Sequence, residues 1–272
     1  MMPFRTLPMH GLKAAAVAAL LSLGLLAAPG ARAQEHGEIK IPDTKYSFDG
    51  IFGTYDRGEL QRGFQVYKEV CAACHSMQLL SYRNLRDIGL SDAEVRAVAQ
   101  SYQIQDGPND NGEMFERPGR PSDRFRRPFP NDAAARAANN GALPPDLSVI
   151  AKARVGGADY LHALLTGYED PPPAGVTVME GMHYNKYFPG HQIAMPAPLN
   201  GDGQVQYGDG TKATVDQMSR DVAAFLTWAA EPELETRRAM GVRIILFLVI
   251  LGGLTYAVKR KIWARAGGDH VS

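Results

Sequence analysis

The chain has 272 residues, with 29 Lys and Arg against 29 Asp and Glu, and a length of this size predicts one sizeable domain with additional segments. The charge is unevenly spread. Residues 34–236 carry 19 basic and 28 acidic side chains, a net of −9, whereas residues 237–272 carry 7 basic and 1 acidic. An acidic domain argues against nucleic acid as a partner and favours a basic soluble one through salt-dependent steering, although ordinary solubility accounts for the same charge.

Arg5 and Lys13 flank the start of an apolar run from Ala14 to Ala28, and Ala31-Arg32-Ala33 is a small-x-small cleavage site. Residues 1–33 therefore read as a cleaved secretory signal peptide, the apolar run being short for a membrane span. Residues 34–58 show no sustained period and are expected to drape over the domain. From Glu59 to Cys74 the residues Leu60, Phe64, Tyr67, Val70/Cys71 and Cys74 recur at three- and four-residue intervals. This predicts a helix with aromatic side chains and both thiols on one face.

Cys71-Ala72-Ala73-Cys74-His75 holds both cysteines of the chain, followed directly by a histidine. The C-x-x-C-H pattern reads as covalent attachment of one c-type haem, with Cys71 and Cys74 forming two thioethers and His75 placed as an axial ligand. A structural zinc site needs about four N/S ligands and a second cysteine pair. A thioredoxin-like pair should follow a strand in a βαβ pattern. Neither accompaniment is present in the sequence.

Leu79 to Leu85 and Asp92 to Ser101 are short helical candidates, the second capped by Ser91 or Asp92 with Glu94 in its first turn. Pro and Gly exclude long regular elements from Gln105 to Asn131. Its arginines, Arg117, Arg120, Arg124, Arg126 and Arg127, can neutralise haem propionates, contact a partner or simply be solvated. Asp132–Asn140, Leu147–Arg154 and Asp159–Leu165 are further helix candidates, and 167–206 reads as loop. Thr214-x-x-Gln217 reads as a capping box opening a helix with Val215, Met218, Val222, Phe225/Leu226 and Ala229 on one stripe, ended by Pro232.

Residues 239–258 contain one charge, Arg243, and are long enough to cross a ~30 Å hydrocarbon core. Lys259, Arg260, Lys261 and Arg265 follow the segment, and Arg237 and Arg238 precede it. With the signal peptide cleaved, the anchor runs from outside to inside, which leaves residues 259–272 as a cytoplasmic tail.

The sixth haem position decides between electron transfer and an open, reactive iron. Met77 is too close in sequence to His75 to reach the opposite haem face, and Met218 lies on a packed stripe. Met114, Met179, Met182 and Met195 remain, with His162, His183 and His191. Met195 stands in Ile193-Ala194-Met195-Pro196-Ala197-Pro198, a proline-stiffened apolar loop able to present a thioether rigidly, and His191 is its rival.

The run Arg62-Gly63-Phe64-Gln65-Val66-Tyr67-x-x-Val70-Cys71-x-x-Cys74-His75-Ser76-Met77 closely resembles the cytochrome c1 family. The resemblance continues in Gln105-Asp106-Gly107-Pro108-Asn109, Gly112-Glu113-Met114-Phe115 and Arg136-Ala137-Ala138-Asn139-Asn140-Gly141-Ala142-Leu143-Pro144-Pro145-Asp146-Leu147-Ser148. It extends through Leu164-Leu165-Thr166-Gly167-Tyr168, Tyr187-Phe188-Pro189-Gly190, Met195 and the anchor.

It implies an all-α, loop-rich cytochrome c-type haem domain over 34–236, with one C-terminal transmembrane helix. It also implies a place in a bacterial cytochrome bc1 complex at the inner membrane, haem domain on the periplasmic side. There the chain would accept an electron from the Rieske iron–sulfur subunit beside cytochrome b and pass it to a basic, soluble or tethered c-type cytochrome. No bond-making catalysis is expected on this chain itself. By position, His75 and Met195 would ligate the iron, and Arg154 and Tyr160 would lie near a propionate. A carbonyl of the Pro144-Pro145 turn would accept from the other His75 nitrogen. Some bacterial relatives carry a further disulfide-forming cysteine pair. This sequence has none, so the 179–195 loop is expected to rely on packing and proline stiffness. An anchored haem enzyme with an open iron site is the alternative reading, and a haem-free metal or scaffold protein is the third.

Overall fold

The computed structural model describes residues 39–266; the predicted signal peptide lies outside the described residues, as do residues 267–272. Helices dominate. They are α1 (Arg57–Glu69), α2 (Asp92–Gln100), α3 (Asp132–Ala138), α4 (Gly157–Thr166), α5 (Val215–Ala230) and α6 (Leu234–Ala266). Two antiparallel hairpins interrupt them: β1 (Gln103–Asp106) with β2 (Phe115–Pro118), and β3 (His183–Tyr184) with β4 (Gln192–Ile193).

Helix α1 begins where Asp56 accepts from the Glu59 backbone N–H at 3.0 Å, which satisfies one of the free donors of the first turn. Leu60, Gly63, Phe64 and Tyr67 then form its buried face, at the spacing expected of an apolar helical stripe. The helix is shorter than its periodicity predicts. It stops at Glu69, and Cys71–Ala73 forms a separate 3-10 turn. The backbone N–H groups of Cys74 and His75 both turn back onto the Cys71 carbonyl, at 3.1 and 2.9 Å.

Helix α5 is capped by Thr214, which accepts from the Gln217 N–H at 3.1 Å. The reciprocal half of the expected capping box is replaced, because the Gln217 side chain bonds Asp221 at 3.0 Å instead. Helices α1 and α5 form the central pair, with α4 on the other flank of α5. A Cβ at Gly63 would overlap the Asp221 carbonyl and stand 2.7 Å from Phe225 Cβ, so glycine permits this close approach. At the same crossing, fully buried Asp221 receives Nε and Nη2 of Arg62, each at 3.0 Å. Removing either partner of such a buried pair costs about 3–5 kcal/mol. Phe64, Tyr67, Phe125, Tyr82, Phe225 and Trp228 continue the core as a chain of ring contacts 4.8 to 6.2 Å apart.

Several loop expectations change. Residues 147–154 form successive tight turns rather than a helix, with Ile150 N–H to Leu147 O and Lys152 N–H to Val149 O. The Gln105–Asn131 stretch begins in the β1–β2 hairpin. Its Arg117 is neither solvated nor free for a propionate: it pairs with Asp106 and bonds Asp123 at 2.7 and 3.0 Å. Arg124 donates to the Gln78 carbonyl at 2.5 Å. These cations staple a loop whose backbone has few regular partners.

Helix α6 has 33 residues and contains the expected span, starting five residues earlier and running past it. Its side chains through the apolar stretch lie uncovered by the rest of the chain. Tyr55 N–H and Arg57 bond Glu235 at 2.7 and 2.8 Å, tying the first turn of α6 to the domain.

Candidate haem site

The Cys71–Ala73 turn places both thiols and His75 at the end of α1, and neither cysteine is in a disulfide. Burial, followed by the neighbouring Cys74, pushes the Cys71 thiol up to about 12, so it is no ready thiolate. The His75 ring is held by a single decisive contact. Its Nδ1 lies 2.8 Å from the Pro145 carbonyl. A carbonyl only accepts, so Nδ1 carries the proton and the lone pair is left on Nε2. The contact falls within the turn where the family resemblance implied an acceptor. Burial lowers the pKa of His75, against the raising effects of Pro145 and Asp146, which favours the neutral imidazole that ligates metals.

The Pro145 turn is itself fixed by Asp146, a residue to which the motif reading gave no role. Its carboxylate accepts from Ser76 Oγ at 2.8 Å, Gln78 N–H at 2.9 Å and Ser148 N–H at 2.9 Å. Leu147 N–H donates to the Ser76 carbonyl at 2.8 Å, and Leu79 N–H donates to the buried Ser148 hydroxyl at 3.0 Å. Together these bonds sew residues 76–79 to 146–148 on both sides of the His75–Pro145 contact. Burial raises the Asp146 pKa, but the donors from Ser148, Gln78 and Ser76 outweigh it and hold the carboxyl below the usual range. Beside Cys74 a cavity of about 220 Å³ opens between the Pro144–Asp146 turn and Arg127–Pro128.

Met195 belongs to a second group of residues. It is half-buried, two residues beyond β4, and its carbonyl accepts from the Tyr168 hydroxyl at 3.1 Å. Tyr160 is buried near the start of α4; burial raises its pKa while the Arg154 charge lowers it, so these two share one local field. The Arg154 side chain is exposed and donates to the Ala153 carbonyl at 2.9 Å. Among the described residues no hydrogen bond or ion pair joins His75 to Met195, Arg154 or Tyr160.

Of the rival ligands, His162 is engaged elsewhere and several others are exposed. Both His162 nitrogens have partners, Thr44 at 3.3 Å and Asp216 at 3.0 Å. His191 is exposed, with its ring stacked on Tyr184. Met114 and Met179 are exposed, and Met77 and Met218 are buried in the core as expected of packing residues.

A model of the cytochrome c1 family matches residues 46–266. A cytochrome c1 of Rhodospirillum rubrum is 46% identical, with 90% of this chain aligned to 96% of it. The mitochondrial haem protein cytochrome c1-2 of Solanum tuberosum is 53% identical over 88% of this chain and 91% of its own. A cytochrome b/c1 of Bradyrhizobium diazoefficiens is 53% identical over 86% of this chain, which spans only 37% of that longer polypeptide. The chain belongs to the cytochrome c1 family. Members are electron-transferring haem subunits of bc1 complexes, and the apolar α6 fits membrane anchoring.

One further residue escaped the sequence reading. Fully buried Asn185 organises the loop leading to Met195, which is therefore held by more than packing and proline stiffness. Its Nδ2 donates to Leu164 O at 2.8 Å, and its Oδ1 accepts from the Tyr187 and Phe188 N–H groups at 3.0 and 3.1 Å. Its backbone N–H meets His191 O at 3.0 Å. An asparagine between a tyrosine and a lysine carries no periodic signal. Only its burial reveals the role.

Proposed function

We propose that this chain carries one haem c on Cys71 and Cys74, that His75 and Met195 would hold its iron, and that it relays single electrons from a Rieske iron–sulfur subunit to a c-type cytochrome. The observation that carries this reading is the His75–Pro145 contact, which leaves Nε2 as the free lone pair beside two cysteines spaced for thioethers. Haem bound there supplies a one-electron couple. The polypeptide contributes the rest. Pro145 fixes the tautomer and raises the basicity of the imidazole, as an outer hydrogen-bond partner does for a metal-bound histidine. A thioether at Met195 raises the potential relative to a second histidine. Arg154 and Tyr160 supply charge and a hydroxyl for a propionate.

In this reading residues 1–33 are removed, residues 34–236 form the haem domain on the periplasmic side of a bacterial inner membrane, and residues 239–258 span it. Cytochrome b is the neighbouring membrane subunit, and the acidic domain guides a basic acceptor.

A pyridine haemochrome spectrum of the full chain should show covalent c-type haem, and its absence sinks every haem reading. In stopped-flow mixing, reduced Rieske protein should reduce the chain. Oxidation by a basic c-type cytochrome should then slow as salt rises. Carbon monoxide binding to the reduced protein would instead favour the alternative, an anchored haem enzyme with an open iron.

A further inference from the structure

Apart from α6, most large apolar side chains of the described residues are buried or half-buried, yet Ile51 and Phe52 stand 73% and 83% exposed, side by side. They form the tip of a tight loop. Its base is closed by Asp49 N–H to Tyr46 O and Thr54 N–H to Ser47 O, both at 3.1 Å. Tyr46, Phe48 and Tyr55 stack behind it in the core, with ring centroids 4.9 and 5.2 Å apart. The loop is therefore ordered around its neck while its two apolar residues point away from the fold's own interior.

The neck is gripped from α6. Nη1 of Arg238 donates to the Phe48 carbonyl at 2.8 Å and to the Gly53 carbonyl at 2.7 Å. Arg238 immediately precedes Ala239, the first residue of the predicted span, and one helical residue rises about 1.5 Å. Phe52 and Ile51 are one and two residues from Gly53, so their backbones lie within about 4 and 7 Å of that tether. The polar layer of a bilayer is about 5–8 Å deep on each side of the hydrocarbon. The exposed pair is therefore close enough to the start of the span to reach the layer where aromatic and apolar side chains anchor proteins to the membrane surface.

The two ends of α6 differ in a way that gives this loop a purpose. At the C-terminal end, Tyr256 and Trp263 flank the basic run, and Lys259 Nζ sits 4.5 Å from the Trp263 ring centroid. At the N-terminal end the helix has no aromatic residue before Phe247. We infer that Ile51 and Phe52 are an interfacial lipid anchor, contributed by the haem domain to complete the aromatic belt that α6 lacks at this end. Held there through Arg238, Glu235 and the loop neck, the anchor would fix the tilt of the domain over the membrane. The inference rests on α6 being membrane-spanning.

The test replaces Phe52 by p-benzoylphenylalanine in the full chain, irradiates it in the native membrane, and analyses the tryptic peptide 46–57 by mass spectrometry. The same substitution at Phe247 gives the yield expected of lipid contact. Lipid adducts at both positions, with yields within a few-fold of each other, are the expected result. Lipid adducts at Phe247 with only polypeptide cross-links at 52 would overturn the anchor in favour of a protein contact, and no adduct at 52 would also overturn it. Absence of lipid adducts at Phe247 would instead remove the membrane-spanning reading on which it stands.

Discussion

His75 and Met195 are reached from opposite kinds of structure. His75 follows a core helix and a 3-10 turn, and its ring, its carbonyl partner and the segments 76–79 and 146–148 are cross-bonded. Met195 ends a long stretch whose regular structure is two two-residue strands, and its direct polar tie is the Tyr168 hydroxyl on its carbonyl. The first region gains order from a charge, Asp146; the second from a neutral amide, Asn185. A carboxylate makes the first region sensitive to pH, whereas an amide does not titrate. The comparison also shows where the iron environment can be altered without unfolding, since a loop opens at lower free energy than a core helix.

The sharpest way to break the comparison is Met195→Leu. The midpoint potential should fall by hundreds of millivolts in a redox titration, with covalent haem retained because Cys71, Cys74 and His75 are untouched. An unchanged potential would hand the sixth position to another residue.

Next in size is Asn185→Ala. It removes three side-chain bonds and leaves the Leu164 carbonyl and two N–H groups without their partner. At about 1 kcal/mol per bond, the loss is roughly 3 kcal/mol, a fall in Tm of roughly 6–12 °C. The potential should also change, since this loop carries Met195. A melt within 2 °C of the parent would remove Asn185 as the organiser.

Asp146→Asn should cost roughly 2 kcal/mol at neutral pH, as expected for hydrogen bonds to a charged acceptor. Its sign with pH follows from the depressed carboxyl. The folded pKa lies below the unfolded value of about 3.9, so the carboxylate stabilises fully above about pH 4 and less as pH falls through the folded value. Denaturant midpoints of parent and variant should therefore converge in acid. Parallel curves down to pH 2.5 would contradict the clamp. The smallest effect is expected for Tyr168→Phe, about 1 kcal/mol by thermal melt, with a shift in potential far smaller than that of Met195→Leu.

Much of the molecule was legible because its signals are local. The cap at Ser91, whose hydroxyl accepts from Glu94 N–H, follows from a residue type and a three-residue spacing. So do the Thr214 cap, the buried stripe of α1 and the apolar run of α6. The haem motif is five consecutive residues. Local pattern misled where side chains divert the backbone. Residues 147–154 read as a helix, but Asp146 and Ser148 spend their polar groups on residues 76–79 and the segment closes into turns. Arg117 read as one of several loop charges and proved to be a staple between two aspartates.

By itself the sequence determined the attachment motif, the helical stripes, their caps and the membrane-length segment, because each arises from spacing along the chain and from intrinsic residue chemistry. Only the tertiary structure decided which carbonyl of the Pro144-Pro145 turn orients His75, that Asp146 locks that turn, and that Asn185 shapes the path to Met195. The bonds among them that join distant segments reach across 21 to 70 residues. No periodicity encodes such a bond; burial makes each partner obligatory once the chain has folded.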